Sequence, residues 1–202
     1  MFRLCAHLNT VNIGVYSERV TDSYHHGHLR EELIAAAMLS VKTGNIDKFS
    51  LRATAQKLGV SPAAVYHHFA DKTALVNAVI RETGILLNQK MHKALDPEPA
   101  VGEHAMVLGL AYIDFAIEEP SLFIQLTSTA CPESEDIQAQ SLAMVSEAIV
   151  KDSPAKLSPS ELQEKVWASW AIAHGFASLA LAGQMSPGQA RSAFRSQCHP
   201  AN

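Results

Sequence analysis

Apolar residues along this chain recur at helical spacing, and the elements they predict are all helices. Leu29, Leu33 and Ala37, beside Ile34, Met38 and Val41, make one stripe that stops at Gly44-Asn45. Leu51, Ala55 and Leu58 make a second, shorter stripe opened by Ser50 as N-cap and ended by Gly59. Ser61 then caps a third helix with Pro62 in its first position, where a missing N–H is harmless. A long helix from Lys72 to about His92 carries Leu75, Val76, Val79, Ile80, Thr83 and Leu87, and Asp96-Pro97-Glu98-Pro99 ends that segment. Beyond it, Met106, Leu110, Ile113 and Ile117 form a helical series broken at Glu118-Glu119-Pro120. A shorter helix runs through Leu122, Phe123 and Leu126 to a break at Cys131-Pro132. Further helices are expected over 133–150, 160–183 and after Ser186-Pro187, with a polar loop over 152–159. Alternating strand patterns are too short to count, so the expected class is all-α.

The two short helices joined by the tight turn at 59–61 form the unit that places a helix in a DNA major groove. At about 100° per residue, Val65 and Phe69 point inward, Ala63 and His67 outward, and Ala64 and Tyr66 flank them. Small residues let the backbone approach base edges, alanine methyls can touch thymine methyls, and His or Tyr can reach bases or phosphates. Lys72 falls in the first turn of its helix, where the macrodipole disfavours a cation, and a phosphate partner would explain it. Each of these residues also has a plain structural explanation. Ser50 and Ser61 serve as caps, Tyr66 as a half-buried aromatic and Lys72 as a solvated charge. Their ordered combination points to DNA.

Gly59-Val60-Ser61, Tyr66-His67-His68-Phe69 and Lys72 with Leu75, preceded by a helix over about 28–43, resemble the DNA-binding domain of the TetR (tetracycline-repressor) family. Tyr24-His25-His26-Gly27-His28-Leu29-Arg30 resembles the opening of one TetR subgroup, whose Trp-x-x-x-His-Gly motif is matched by Trp170 to Gly175. The resemblance implies that Tyr66 and Lys72 hold phosphates, that Ala63, Ala64 and His67 face bases, and that Arg52 is a further contact. Ala63 stands where that family commonly has glycine, and alanine is the better helix former. Residues 1–23 read as a mobile arm, an addition to the usual family start or the product of an upstream start-codon choice, and the implied organisation opens with a three-helix helix-turn-helix DNA-binding domain over 24–72. A connecting helix over 73–95 and a C-terminal helical ligand-binding and dimerisation domain over 96–196 follow.

Composition and charge refine this picture. The 202 residues are 48% hydrophobic, enough for a substantial core. No apolar run approaches the ~20 residues of a membrane span, and the first 23 residues make a poor signal peptide. Cys5, Cys131 and Cys198 lack C-x-x-C spacing and suit reduced thiols. A cytoplasmic protein without a membrane partner is expected. The net charge of −4 divides into +2 over residues 1–72 and −6 over 73–202. Affinity for DNA should therefore rest on a few placed contacts and on dimerisation rather than on a broad positive field.

Ala168, Ala171, Gly175, Ser178 and Ala182 recur at 3-4-3-4 spacing, all small. Such a seam lets helices approach closely, and an interior glycine costs roughly 1 kcal/mol unless packing offsets it. The expectation is a homodimer interface, as the family resemblance also implies; packing within the chain is the alternative. Candidate contacts for an unidentified, apolar small-molecule effector are Tyr112, Phe115, Phe123, Met144, Trp170 and His174, any of which could equally be core. The expected function is a repressor that binds a palindromic double-stranded DNA operator as a homodimer and is released by that effector.

No nucleophile with a base, phosphate-cradling glycine loop or metal motif is present, so neither catalysis nor a cofactor nor a metal is expected. Two alternatives are a metal-responsive regulator, from His25, His26, His28 and Cys131, and a DNA-binding protein without an effector.

Overall fold

A computed structural model describes residues 28–198. Among them the chain is all-helical: α1 (Leu29–Lys42), α2 (Leu51–Lys57), α3 (Pro62–His68), α4 (Lys72–Ala94), α5 (His104–Glu118), α6 (Pro120–Ser128), α7 (Glu135–Asp152), α8 (Pro159–Leu181) and α9 (Pro187–Cys198). Short 3-10 turns at Ile46–Lys48 and Pro132–Ser134 precede α2 and α7. The proposed arm at 1–23 lies outside the described residues, as do Cys5, His25 and His26.

Local chemistry sets the helix ends. Ser50 Oγ accepts from the Ala53 N–H at 3.3 Å and Ser61 Oγ from the Ala64 N–H at 3.2 Å, while Gly59 takes φ +70° between them. Asp71 Oδ1 caps α4 through the Ala74 N–H at 2.8 Å. Its carboxylate favours a helix N-terminus.

Two hydrophobic cores result. The first gathers Leu29, Leu33 and Ala37 from α1, Leu51 and Ala55 from α2, Val65 and Phe69 from the α3 end, and Leu75 and Val79 from α4. The second is built around α5, which packs against α4, α6, α7, α8 and α9. Enclosure on several sides explains a difference from the periodicity. Of the series Met106, Leu110, Ile113 and Ile117, only Ile113 is fully buried, and Leu108, Ala111, Tyr112 and Phe115 on other faces are buried as well. A helix surrounded by neighbours has no single apolar stripe to read.

Helix α6 belongs to both cores. Leu122 (0% exposed) enters the first and its neighbour Phe123 (1%) the second. Lys42 at the end of α1 pairs with Glu119 at 2.7 Å, fastening α1 to the α5–α6 corner.

Gly109 allows α5 and α9 to approach. A Cβ there would lie 2.1 Å from Cζ of Phe194, itself 1% exposed. Gly109→Ala is therefore expected to cost about 1–3 kcal/mol by overpacking, seen as a lower denaturant midpoint at unchanged m-value.

A polar staple joins the start of α5 to the end of α7. Asp152 accepts the backbone N–H groups of Gly102 (2.8 Å), His104 (3.2 Å) and Ala105 (2.9 Å). The buried His104 ring lies 2.7 Å from Asp152 through Nδ1 and 3.0 Å from Glu98 through Nε2. Glu98 and Asp152 hold His104 above the usual histidine range. Burial works against the Asp152 charge, but the backbone N–H groups and His104 outweigh it and hold its carboxyl low. His104 therefore stabilises fully below the ordinary histidine pKa of about 6.5, and this is lost as pH rises through its raised folded value. Asp152 contributes the opposite limb, lost as pH falls through its depressed value. Thermal melts between pH 5 and 9 should show stability declining on the alkaline side, and His104→Gln should flatten that decline.

Candidate DNA interface and internal cavity

Sequence chemistry builds the recognition surface locally. The caps at Ser50 and Ser61 fix α2 and α3, and Val65 (0% exposed) and Phe69 (3%) anchor α3 to the first core. That anchoring turns Ala63, Tyr66 and His67 to solvent, with Ala64 partly covered and Tyr66 50% exposed. Arg52 is exposed on α2, as are both capping serines. Six of the eight residues expected to meet DNA thus stand fully on the surface.

Lys72 has a partner within the protomer: its Nζ donates to the Asp47 carbonyl at 2.9 Å. That bond and the Asp71 cap account for a cation at the head of α4 without a phosphate. His68, exposed and edge-on to His67 at 5.7 Å between ring centroids, adds a polar group to the end of α3 that the spacing argument did not select.

The second core encloses a cavity of about 620 Å³, within the range of small-molecule sites. Its apolar wall includes Leu87, Met91, Leu108 and Val145, and the segment from Leu126 to Glu135 closes one side. Tyr112, Trp170 and His174 are among the residues that line it. The Tyr112 hydroxyl and His174 Nδ1 are 2.9 Å apart. Burial pushes the Tyr112 phenol up to about 12, so its proton stays on.

Phe115, Phe123 and Met144 do not line the cavity. Phe115 is core, and Met144 packs on the core from α7. Phe123 stands behind the wall, stacked on His174 at 5.8 Å and edge-on to Tyr112 at 5.2 Å. Periodicity identified these residues as apolar and could not say which were backed by another side chain. The sequence reading named no effector contact between 126 and 135, where the stretch joining α6 to the 3-10 turn is irregular and carries no periodic signal.

Hydrogen bonds tie that segment and the start of α7 to α4. Asn77 Nδ2 donates to both Glu133 oxygens (3.1 and 3.0 Å), and Arg81 reaches the Glu133 carbonyl at 2.7 Å and the Asp136 carboxylate. The buried Cys131 thiol, raised by burial, lies in the same wall.

The five small residues of the seam, Ala168, Ala171, Gly175 and Ser178 on α8 and Ala182 at its C-cap, are all exposed in the protomer. The buried face of α8 is instead Val166, Ala173 and Ala177, so packing within the chain does not explain the seam. A Cβ on Gly175 would meet nothing within 4 Å. Trp167, Ile172 and Leu179 stand 52%, 42% and 38% exposed along the same helix.

Among the described residues no group of three or more His, Cys, Asp or Glu is placed to hold a metal ion. No described helix is long and apolar enough to cross a membrane.

A helix-turn-helix unit seated on a larger helical domain places the chain among DNA-binding regulators. Residues 33–79 match the family model of bacterial regulatory proteins, tetR family, and residues 106–199 match that of the tetracyclin repressor-like C-terminal domain. The chain belongs to the TetR family of transcriptional regulators. Solved structures share the fold. A protein of unknown function from Rhodococcus sp. RHA1 is 24% identical, with 89% of this chain and 96% of that one covered at a TM-score of 0.76. A proposed TetR-family transcriptional regulator from Rhodococcus sp. is 18% identical over 84% and 96%, at 0.66. The TetR-like regulator LfrR from Mycobacterium smegmatis, in complex with proflavine, is 19% identical over 84% and 93%, at 0.53. No curated protein matches.

Proposed function

We propose that this TetR-family regulator is a homodimeric repressor that holds a palindromic operator and releases it when a small molecule fills the cavity behind Tyr112 and His174. The observation that carries the reading is the position of α6. Phe123 contacts both polar cavity residues, while Leu122 one step away is embedded in the core that carries α3. A ligand that displaces the Tyr112–His174 pair acts on Phe123, and through a rigid α6 on the seating of α1. The Asn77 and Arg81 contacts give the 126–135 wall a parallel connection to α4. A coupling of ~1–3 kcal/mol suffices to change operator occupancy appreciably. The cavity favours this reading over a DNA-binding protein without an effector, and the LfrR–proflavine complex shows that a relative of this fold takes a small molecule.

Dimerisation through the exposed α8 seam would present two copies of α3 to successive major grooves. In that assembly Ala63, Ala64 and His67 face bases, and Tyr66, Arg52 and Lys72 meet phosphates, Lys72 by exchanging its Asp47 partner. The test is a salt-dependent anisotropy titration on the DNA upstream of the gene, with His67→Ala and Tyr66→Ala beside the parent. Each variant is expected to lose roughly 1–3 kcal/mol, about 5- to 150-fold. Tyr66→Ala should weaken binding to all sequences alike, and His67→Ala should also relax sequence preference. Unchanged binding by both variants would remove α3 from the interface.

A further inference from the structure

Four hydroxyls of the cavity wall have their protons committed within the protein, whereas that of Thr129 accepts from Gln125 at 3.1 Å and keeps its own. Thr127 donates to the Phe123 carbonyl at 2.9 Å, Ser128 to the Ile124 carbonyl at 2.6 Å and Ser134 to the Cys131 carbonyl at 2.8 Å. Ser141 has the Asn88 Oδ1 and the Ile137 carbonyl as acceptors for its single proton. A hydroxyl has one proton and two lone pairs, so these four groups can offer a guest acceptors only. The Tyr112 hydroxyl and His174 Nδ1 share one hydrogen bond, which occupies the proton between them. Glu135 supplies a carboxylate to the lining, and among the described residues no Lys or Arg lines the cavity. Arg81, which reaches the Glu133 carbonyl, is engaged by Asp136.

This combination has a chemical consequence. An anion entering the cavity gives up hydration, meets no Lys or Arg among the described lining residues and faces the Glu135 charge. Desolvation without compensating hydrogen bonds is costly, and more so for an ion. An uncharged guest with an apolar body meets the opposite situation, with Leu87, Met91, Leu108 and Val145 around that body.

Resting on the effector-site reading above, we infer that the cavity selects apolar molecules that carry no negative charge. Two fluorescent probes test this directly: N-phenyl-1-naphthylamine, neutral with one N–H, and its 8-sulfonate, the same scaffold bearing an anion. Both brighten on entering an apolar site. The full-length protein is expected to bind the amine at least roughly tenfold more tightly than the sulfonate. Glu135→Lys should narrow that gap by raising sulfonate affinity. Gln138→Trp and Leu142→Trp, each adding an indole at a lining position, should weaken the amine. Circular dichroism confirms that the variants fold.

Equal or tighter sulfonate binding, still lost in the indole variants, would overturn the charge rule while leaving the cavity as a ligand site. Probe binding that ignores both indole variants would place the site elsewhere and overturn the effector reading with it.

Discussion

Gly175→Glu is expected to yield a folded protomer that no longer dimerises and no longer holds its operator. The position is open in the protomer, with nothing within 4 Å of a new Cβ, so the added side chain disturbs no intrachain packing. Replacing an interior helical glycine also removes its conformational cost of roughly 0.5–1 kcal/mol. In the proposed dimer the damage falls on the pairing of two α8 seams, where two carboxylates would be forced together between surfaces lined by Ala171, Ser178 and Ala182. One DNA-binding domain then binds a half-site without the effective concentration supplied by its partner, a loss of roughly 10²–10⁴-fold. Light scattering behind a sizing column gives the oligomeric state, and anisotropy gives the affinity. A dimer that survives the substitution would move the interface off this seam.

Leu122→Ala should produce the second large effect. Its side chain is wholly buried, in the first core, yet it is carried by a helix whose next residue belongs to the second. Truncation leaves a cavity between α1, α4 and α6 and is expected to cost about 2–5 kcal/mol. Operator affinity should fall with it, since α1 loses its seat on α6. Binding of the naphthylamine probe should persist at temperatures where the variant is folded, because Phe123 and the cavity wall are untouched. Calorimetry and probe titration on one sample separate the two effects. A variant as stable as the parent would show that α6 does not join the cores energetically.

The legibility of this chain divides along the range of the interactions. The helix-turn-helix was readable because its determinants are local: Ser50 and Ser61 bond N–H groups three residues on, Gly59 supplies the left-handed turn, and Pro62 sits where its missing donor is harmless. Lys72 shows where that reach ends. Its acceptor is a carbonyl 25 residues earlier, delivered by a turn that no local rule specifies. The His104–Asp152 staple spans 48 residues and left no trace in the pattern. At the cavity, residue type pointed to Tyr112, Trp170 and His174, but the same reasoning selected Phe115, Phe123 and Met144, which the fold places behind or beside the wall. Helical periodicity says which residues avoid water; it does not say which stand next to a void. The α8 seam was visible in sequence because small residues recur in register, and its exposure required the positions of α5, α7 and α9.

Selection from a random double-stranded DNA pool, followed by sequencing of the retained fraction, tests the central claim most directly. The account predicts enrichment of an inverted repeat whose half-sites are centred about one helical turn, ~10 bp, or a multiple of it apart, and Gly175→Glu should abolish that enrichment. Recovery of the input pool without a shared motif, by a parent protein shown to be folded and dimeric, would contradict the assignment of α3 as a sequence-reading helix.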